Sequence, residues 1–238
     1  MGGVSVQVPV KRILEVLEQT YPGAKCALDH RNPFELLVAT ILSAQCTDER
    51  VNLVTGPLFA KFPTAEDFAR LSPEELEPHI QSCGLYKTKS KNIVSACRIL
   101  VEEYGGQVPK SREALQALPG VGRKTASVVL SNAFGVPAIA VDTHVFRVAN
   151  RLGLADATTP EETERQLMKR IPKAKWSAAH HWLIHHGRQI CSARSPGCDR
   201  CPLSRYCRFA RERRRGEELA QGRRPQRPRA GAGGITEG

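Results

Sequence analysis

Apolar residues recur at three- and four-residue intervals along most of the chain, and this spacing places one buried face on each of a series of helices. Phe34, Leu37, Val38, Ile41 and Leu42 form one such stripe, and Ile93, Cys97, Leu100 and Val101 form another. The polar residues between stripes carry start signals. Asn32-Pro33-Phe34-Glu35 offers an N-cap, a proline at the first helical position and a capping-box glutamate. Ser72-Pro73-Glu74-Glu75 and Thr159-Pro160-Glu161-Glu162 repeat that arrangement, and Ser111 opens a helix with Leu115 and Leu118 on its apolar side. Period-two alternation is scarce. Val4, Val6, Val8 and Val10 alternate, but Pro9 and the glycines make this segment an arm. The run Val136 to Val141 is short and contains Pro137. The pattern predicts an all-α fold with no 20–50-residue repeat.

Composition narrows the class. The 238 residues are 41% hydrophobic and 25% charged, values of a globular protein. No apolar run approaches about 18 residues, and the N-terminus lacks a signal-peptide stretch, so the expected setting is cytoplasmic, with no membrane. The net charge of +11 points to an acidic partner, most often nucleic acid. The charge is uneven: a net of +8 lies from Arg188 onward and only +3 in the rest. After Cys207 the chain is rich in Arg, Gly and Pro. It begins as a possible basic helical turn, and 210–238 as a whole is expected to be a basic, disordered tail.

Three stretches carry candidate chemistry. In Leu118-Pro119-Gly120-Val121-Gly122-Arg123-Lys124-Thr125-Ala126, two glycines permit a tight hairpin between helices and leave the backbone bare. The N–H groups of the next helix's first turn can then meet a phosphate. It is not a Walker loop, which needs four residues between its first glycine and the Gly-Lys pair. Lys124 stands in that first turn, where the helix dipole and the apolar neighbours Val121, Ala126 and Val128 favour a neutral amine, the form that attacks carbon. From position alone a solvated lysine reaching for phosphate fits slightly better. Asp142, between the apolar Pro137–Val141 and a helical pattern, reads as an N-cap; beside Thr143 and His144 at the end of a buried run it is also placed to face a cleft.

The third stretch is Cys191-x6-Cys198-x2-Cys201-x5-Cys207, four cysteines within 17 residues. In a chain without a secretory signal this is a metal or cluster site and not a disulfide framework. The spacing alone leaves zinc and a [4Fe–4S] cluster even. Arginines 188, 194, 200, 205 and 208 surround it and suit phosphate contacts. His181 and His185, one helical turn apart just upstream, have no evident third ligand and read as packed or surface residues.

Together these stretches, with "PFELLVATILSAQCTDERVN" and "GLYKTKSKNI", resemble the endonuclease III family of DNA glycosylases, from about Leu14 to Cys207. The resemblance implies two helical domains flanking a DNA-binding groove: a six-helix domain at 24–134 with its helix-hairpin-helix at about 112–131, and a second domain from 1–23 and 135–209 with the cluster loop at 191–207. It implies a monomeric bifunctional glycosylase and lyase acting on double-stranded DNA with oxidised pyrimidines or abasic sites. Lys124 and Asp142 would be its catalytic residues, and Cys191, Cys198, Cys201 and Cys207 would hold a [4Fe–4S] cluster. Gln45 and Leu85 match the residues expected to fill the gap left by a flipped nucleotide. Gly120, Gly122, Arg123, Thr125 and His144 complete the expected DNA contacts. Two positions depart from the family pattern, Cys46 in place of a small residue and His185 in place of an apolar one, and both are expected to stand outside the chemistry. The rival readings are an adenine-mismatch or other monofunctional glycosylase of the same superfamily, an 8-oxoguanine glycosylase, a non-enzymatic helix-hairpin-helix protein with a structural metal, and an electron-transfer iron–sulfur protein. Lys124 and the short tail speak against the first, the cysteine cluster against the second, Lys124 paired with Asp142 against the third, and the helical DNA-binding signature against the last.

Overall fold

A computed structural model describes residues 8–220. Among these residues the chain is helical, with no strands. Its α-helices, in chain order, are α1 (Val10–Thr20), α2 (Pro33–Leu42), α3 (Asp48–Lys61), α4 (Ala65–Arg70), α5 (Pro73–Ile80), α6 (Tyr86–Tyr104), α7 (Arg112–Ala117), α8 (Arg123–Phe134), α9 (Thr143–Leu152), α10 (Pro160–Arg170), α11 (Trp176–Gln189) and α12 (Arg208–Ala220). No described helix is long and apolar enough to cross a membrane.

The local start signals act as expected. The side chains of Asn32, Ser72, Ser111 and Thr159 accept from the N3 amides of α2, α5, α7 and α10, and Ser72 with Glu75 completes a capping box. Each cap satisfies an amide that the first helical turn leaves without a partner.

Two apolar cores form. The first gathers α2 to α8 around Leu36, Leu37, Phe68, Ile80, Ile93 and Leu115. The stripe read on α2 understates its burial: nine of its ten residues are buried, Glu35 and Thr40 included, because α3, α6 and α8 surround it. The second core joins α1 to the C-terminal helices through Ile13, Leu17, Val148, Leu152, Leu167 and Leu183. The run 138–141 crosses between the two. Its backbone is not helical, and its side chains alternate: Ile139 and Val141 enter the second core, Ala140 the first. An extended segment sends successive side chains to opposite faces, so a run too short to be a sheet strand serves as a seam. Asp142 is the first residue past it.

Two expectations at the termini change. Val10 is already helical, and Val8 and Val10 lie against the second core, while the rest of the valine arm falls outside the described residues. The segment expected to lose structure at 210 continues as helix to Ala220. Phe209 and Ala210 anchor it on the second core, Arg214 donates to the Ser204 hydroxyl, and Arg213 pairs with Glu217 one turn on. These local contacts outweigh an arginine-rich composition. Residues 221–238 lie outside the described residues.

Candidate functional site

The hairpin between α7 and α8 is sharp because of one glycine, not two. Gly120 adopts φ +78°, and a Cβ there would lie 2.9 Å from the Asn92 Cβ of α6. Both the left-handed backbone and the close approach exclude a side chain. Gly122 is extended, at φ −86° and ψ 179°, and has open space where a Cβ would be. Its bareness matters outward: it is the N-cap of α8, it supplies no side-chain cap, and the first turn holds no acidic residue. The leading amides of α8 are thereby left for an external acceptor, in contrast to the capped helices α2, α5, α7 and α10.

That same first turn projects Lys124, which is exposed, into a cleft of about 80 Å³. Asp142 lines this cleft with it, as do Thr40, Ser43, Asp48, His180, His181, His185 and Arg188. The two residues singled out for chemistry therefore share one opening. They arrive from different elements, Lys124 on a helix of the first core and Asp142 at the seam. Asp142 caps α9 through one oxygen only: Oδ1 accepts from the amides of both His144 and Val145, at 2.8 Å each. This holds the carboxylate in place while Oδ2 stands outside the cap. His185, expected to stand apart from the chemistry, lines the cleft as well; its ring stacks on Tyr21, 6.0 Å between centroids.

Two buried histidines form part of the cleft wall: His181, read from the sequence as a packed or surface residue, and His180, which the sequence did not single out. His180 Nδ1–H donates to the Ala140 carbonyl at 2.8 Å and so ties α11 to the seam. His181 Nε2 lies 2.8 Å from Asn132 Oδ1 of α8. Burial pushes the His180 pKa down to about 4, with the Lys124 ammonium opposing its protonation further. Burial, then His180 and His185, pushes His181 down to about 3. A buried neutral histidine is protonated more readily once the chain unfolds, near its ordinary 6.5. Above that value both states are neutral and the fold keeps its full stability; as pH falls below it, the unfolded chain takes up protons that the folded chain refuses. Stability is thus expected to drop by about 1.4 kcal/mol per histidine for each pH unit below 6.5, down to the folded values. Urea unfolding midpoints between about pH 7.5 and 5.5 check this, and a flat profile would contradict it.

The other candidate DNA residues do not line this cleft. Gln45, at φ +53°, and Leu85, at φ +50°, are the only non-glycine residues with positive φ among the described residues. Both are exposed, Leu85 by 59%, unusual for a leucine. Such strained backbone clusters at functional sites. Arg123 is exposed, and both it and Arg112 pair with the buried Glu164 of α10. Thr125 is half-buried. His144 is half-buried and shares the Arg147 guanidinium at 3.1 Å.

The four cysteines lie on one loop pinned by α9, the helix that Asp142 caps. Arg147 donates to the carbonyls of Gly187 and Cys191, and Arg151 to those of Ser192 and Ala193. Cys207 donates to the Arg151 carbonyl, and Cys201 Sγ is 3.6 Å from His186 Nε2. None of the four is in a disulfide. Burial, and then the charges of Cys207, Cys191 and Cys198, pushes the Cys201 thiol up to about 11. The four thiols thus lie within electrostatic reach of one another, yet among the described residues no three Cys, His, Asp or Glu are grouped closely enough to hold a single ion. Burial, and then the neighbouring Cys46, pushes the Cys83 thiol up to about 11, away from this loop.

Residues 38–173 match the model of the HhH-GPD superfamily of base excision DNA repair proteins. Endonuclease III of Rickettsia conorii is 52% identical over 201 residues, which are 84% of this chain and 95% of that protein. Endonuclease III of Escherichia coli is 46% identical over 197 residues, 83% of this chain and 93% of that one. A solved structure of a trapped endonuclease III–DNA covalent intermediate, the estranged-adenine complex, superposes with a TM-score of 0.82 at 51% identity, covering 88% of this chain and all of that one.

Proposed function

The chain belongs to the HhH-GPD superfamily of base excision DNA repair proteins, in its endonuclease III family, and as a DNA glycosylase and abasic-site lyase it uses, we propose, Lys124 as nucleophile and Asp142 as its acid–base partner. The observation that carries the assignment is their shared cleft beside the uncapped hairpin.

The chemistry follows from the placement. The exposed amides of α8 take a backbone phosphate, which sets the register of the duplex without reading sequence. A nucleotide turned out of the stack enters the cleft. The Lys124 amine forms a bond to C1′ as the C1′–N bond to the base breaks, and the departing base takes up a proton. Asp142 holds the positive charge that develops on the sugar and accepts the proton the lysine must lose. The nitrogen lone pair then forms C1′=N as the C1′–O4′ bond breaks; O4′ takes up a proton, the sugar ring opens, and a protonated Schiff base results. Removal of a C2′ proton then breaks the C3′–O bond, which nicks the strand, and water hydrolyses the imine to free Lys124.

Oxidised pyrimidines are the substrate class we assign, with abasic sites as the intermediate acted on in the lyase step. Gln45 and Leu85 fill the vacated place in the stack, the amide towards the orphaned base and the leucine as a wedge. We assign the four thiols of the 191–207 loop to a [4Fe–4S] cluster because the chain belongs to the endonuclease III family, and a cationic core would let four thiolates coexist there. Bound there, the cluster supplies a staple for the loop that Arg147 and Arg151 anchor. Iron, not zinc, is expected in natively purified protein.

The test is a duplex with one thymine glycol. Base release and a nick with an unsaturated 3′ sugar end are expected, with binding that weakens by about 0.9 log units per log unit of salt for each phosphate contacted. Base release without a nick would overturn the lyase in favour of a monofunctional glycosylase.

A further inference from the structure

Within "KTKSK", Lys87 and Lys91 are exposed and Lys89 is buried, 4% accessible. No acidic side chain among the described residues pairs with its ammonium. Lys89 Nζ instead donates to two main-chain carbonyls from distant parts of the chain, Leu42 at 2.8 Å and Cys83 at 2.6 Å. Burial pushes its pKa below the usual lysine range. A lysine taken out of water for two carbonyls is costly unless those bonds fix something.

What they fix is specific. Leu42 is the last residue of α2, three before Gln45; Cys83 is two before Leu85. One side chain therefore joins the roots of the two loops whose tips hold the only described non-glycine residues at positive φ. A left-handed backbone at Gln45 or Leu85 is disfavoured for an L-residue and persists only if its surroundings hold it. The strap is also short and rigid at its base, since Lys89 lies one helical turn beyond Leu85 on α6 and its amide bonds the Leu85 carbonyl at 3.0 Å.

We propose that Lys89 is a positioning residue, which ties the loop after α2 to the loop before α6 and thereby presents Gln45 and Leu85 together to the gap in the duplex. The proposal rests on the reading of Gln45 and Leu85 as gap-filling residues. Without the strap each loop samples other conformations, and the apparent affinity for a gapped duplex falls by the fraction of time both tips stand ready.

The experiment compares full-length wild type with Lys89→Met, which keeps the length and loses the donors, and Lys89→Arg, which restores charged donors. Each is measured for binding to a duplex with a tetrahydrofuran abasic analogue and to undamaged duplex, and each is repeated in a Gln45→Ala/Leu85→Ala background. Lys89→Met is expected to weaken abasic-analogue binding about tenfold with undamaged binding unchanged, Lys89→Arg to recover part of the loss, and neither change to matter once both tips are alanine. Equal weakening on both duplexes, or a full loss that persists in the alanine background, would mean a general structural role and overturn the proposal. If the alanine pair itself leaves abasic binding intact, the gap-filling reading fails first and the positioning role goes with it. Should Lys89→Met not fold, hydrogen exchange on the wild type decides. Protection on binding the abasic analogue must rise together at residues 43–46 and 84–86; a rise at only one loop refutes coupling.

Discussion

Lys124→Ala is expected to abolish the borohydride-trapped adduct with abasic DNA and to lower single-turnover base release by about 10³-fold or more, the scale on which loss of an activated nucleophile is felt. Borohydride reduces the imine between the lysine nitrogen and C1′ to a stable amine, so the adduct reports the bond itself. The fold should tolerate the change. Lys124 is exposed, it makes no ion pair among the described residues, and alanine suits the first turn of α8 at least as well. Its thermal midpoint should therefore stay near that of wild type, since surface substitutions away from such features cost within about 0.5 kcal/mol. Affinity for undamaged duplex should also change little, because the backbone amides of α8 and not the lysine grip the phosphate in this reading. An undiminished adduct would place the nucleophile elsewhere, and a loss confined to affinity would make Lys124 a phosphate contact.

The lysine's two descriptions, solvated charge or nucleophile, could not be separated by local sequence, and the reason is general to this site. Caps are legible because donor and acceptor lie two or three residues apart, as at Asn32, Ser72, Thr159 and Asp142. The hairpin was legible for the same reason, although only Gly120 needs positive φ. The groups that hold the cleft together join residues far apart in the chain. His180 bonds Ala140 forty residues away, His181 bonds Asn132 of α8, Arg188 bonds Asp48, and Glu164 gathers Arg112 and Arg123. None has a periodicity or a motif. Lys89 is the clearest case: its neighbours in sequence are exposed lysines, and only the packing of α6 against the loops shows that it is buried. The seam at 138–141 shows the same limit. The short apolar run was visible, but that its alternate faces belong to two different cores was not.

Asp142→Asn separates two duties that one carboxylate performs. As a cap, the residue needs an oxygen to accept from the amides of His144 and Val145, and an asparagine carbonyl supplies one; Asn and Asp are near-equal N-caps. Stability is therefore expected to fall by no more than about 0.5 kcal/mol. As an acid–base group it needs the second oxygen and its charge, which the amide lacks, so single-turnover base release should fall by about 10²- to 10³-fold. Asp142→Ala provides the contrast: it loses the charge and also leaves two helix-end amides without their acceptor, so it should add a stability cost of about 1 kcal/mol to the same rate defect. Base release on a thymine glycol duplex and thermal unfolding of the same preparations measure the two effects independently. If Asn matches wild type in rate, Asp142 is a cap and nothing more. The pair with Lys124 gives the sharper result. A nucleophile and the group that takes its proton act as one unit, so Lys124→Ala/Asp142→Asn should be scarcely slower than Lys124→Ala alone. Fully additive losses would show that Asp142 works on the departing base without passing through the lysine.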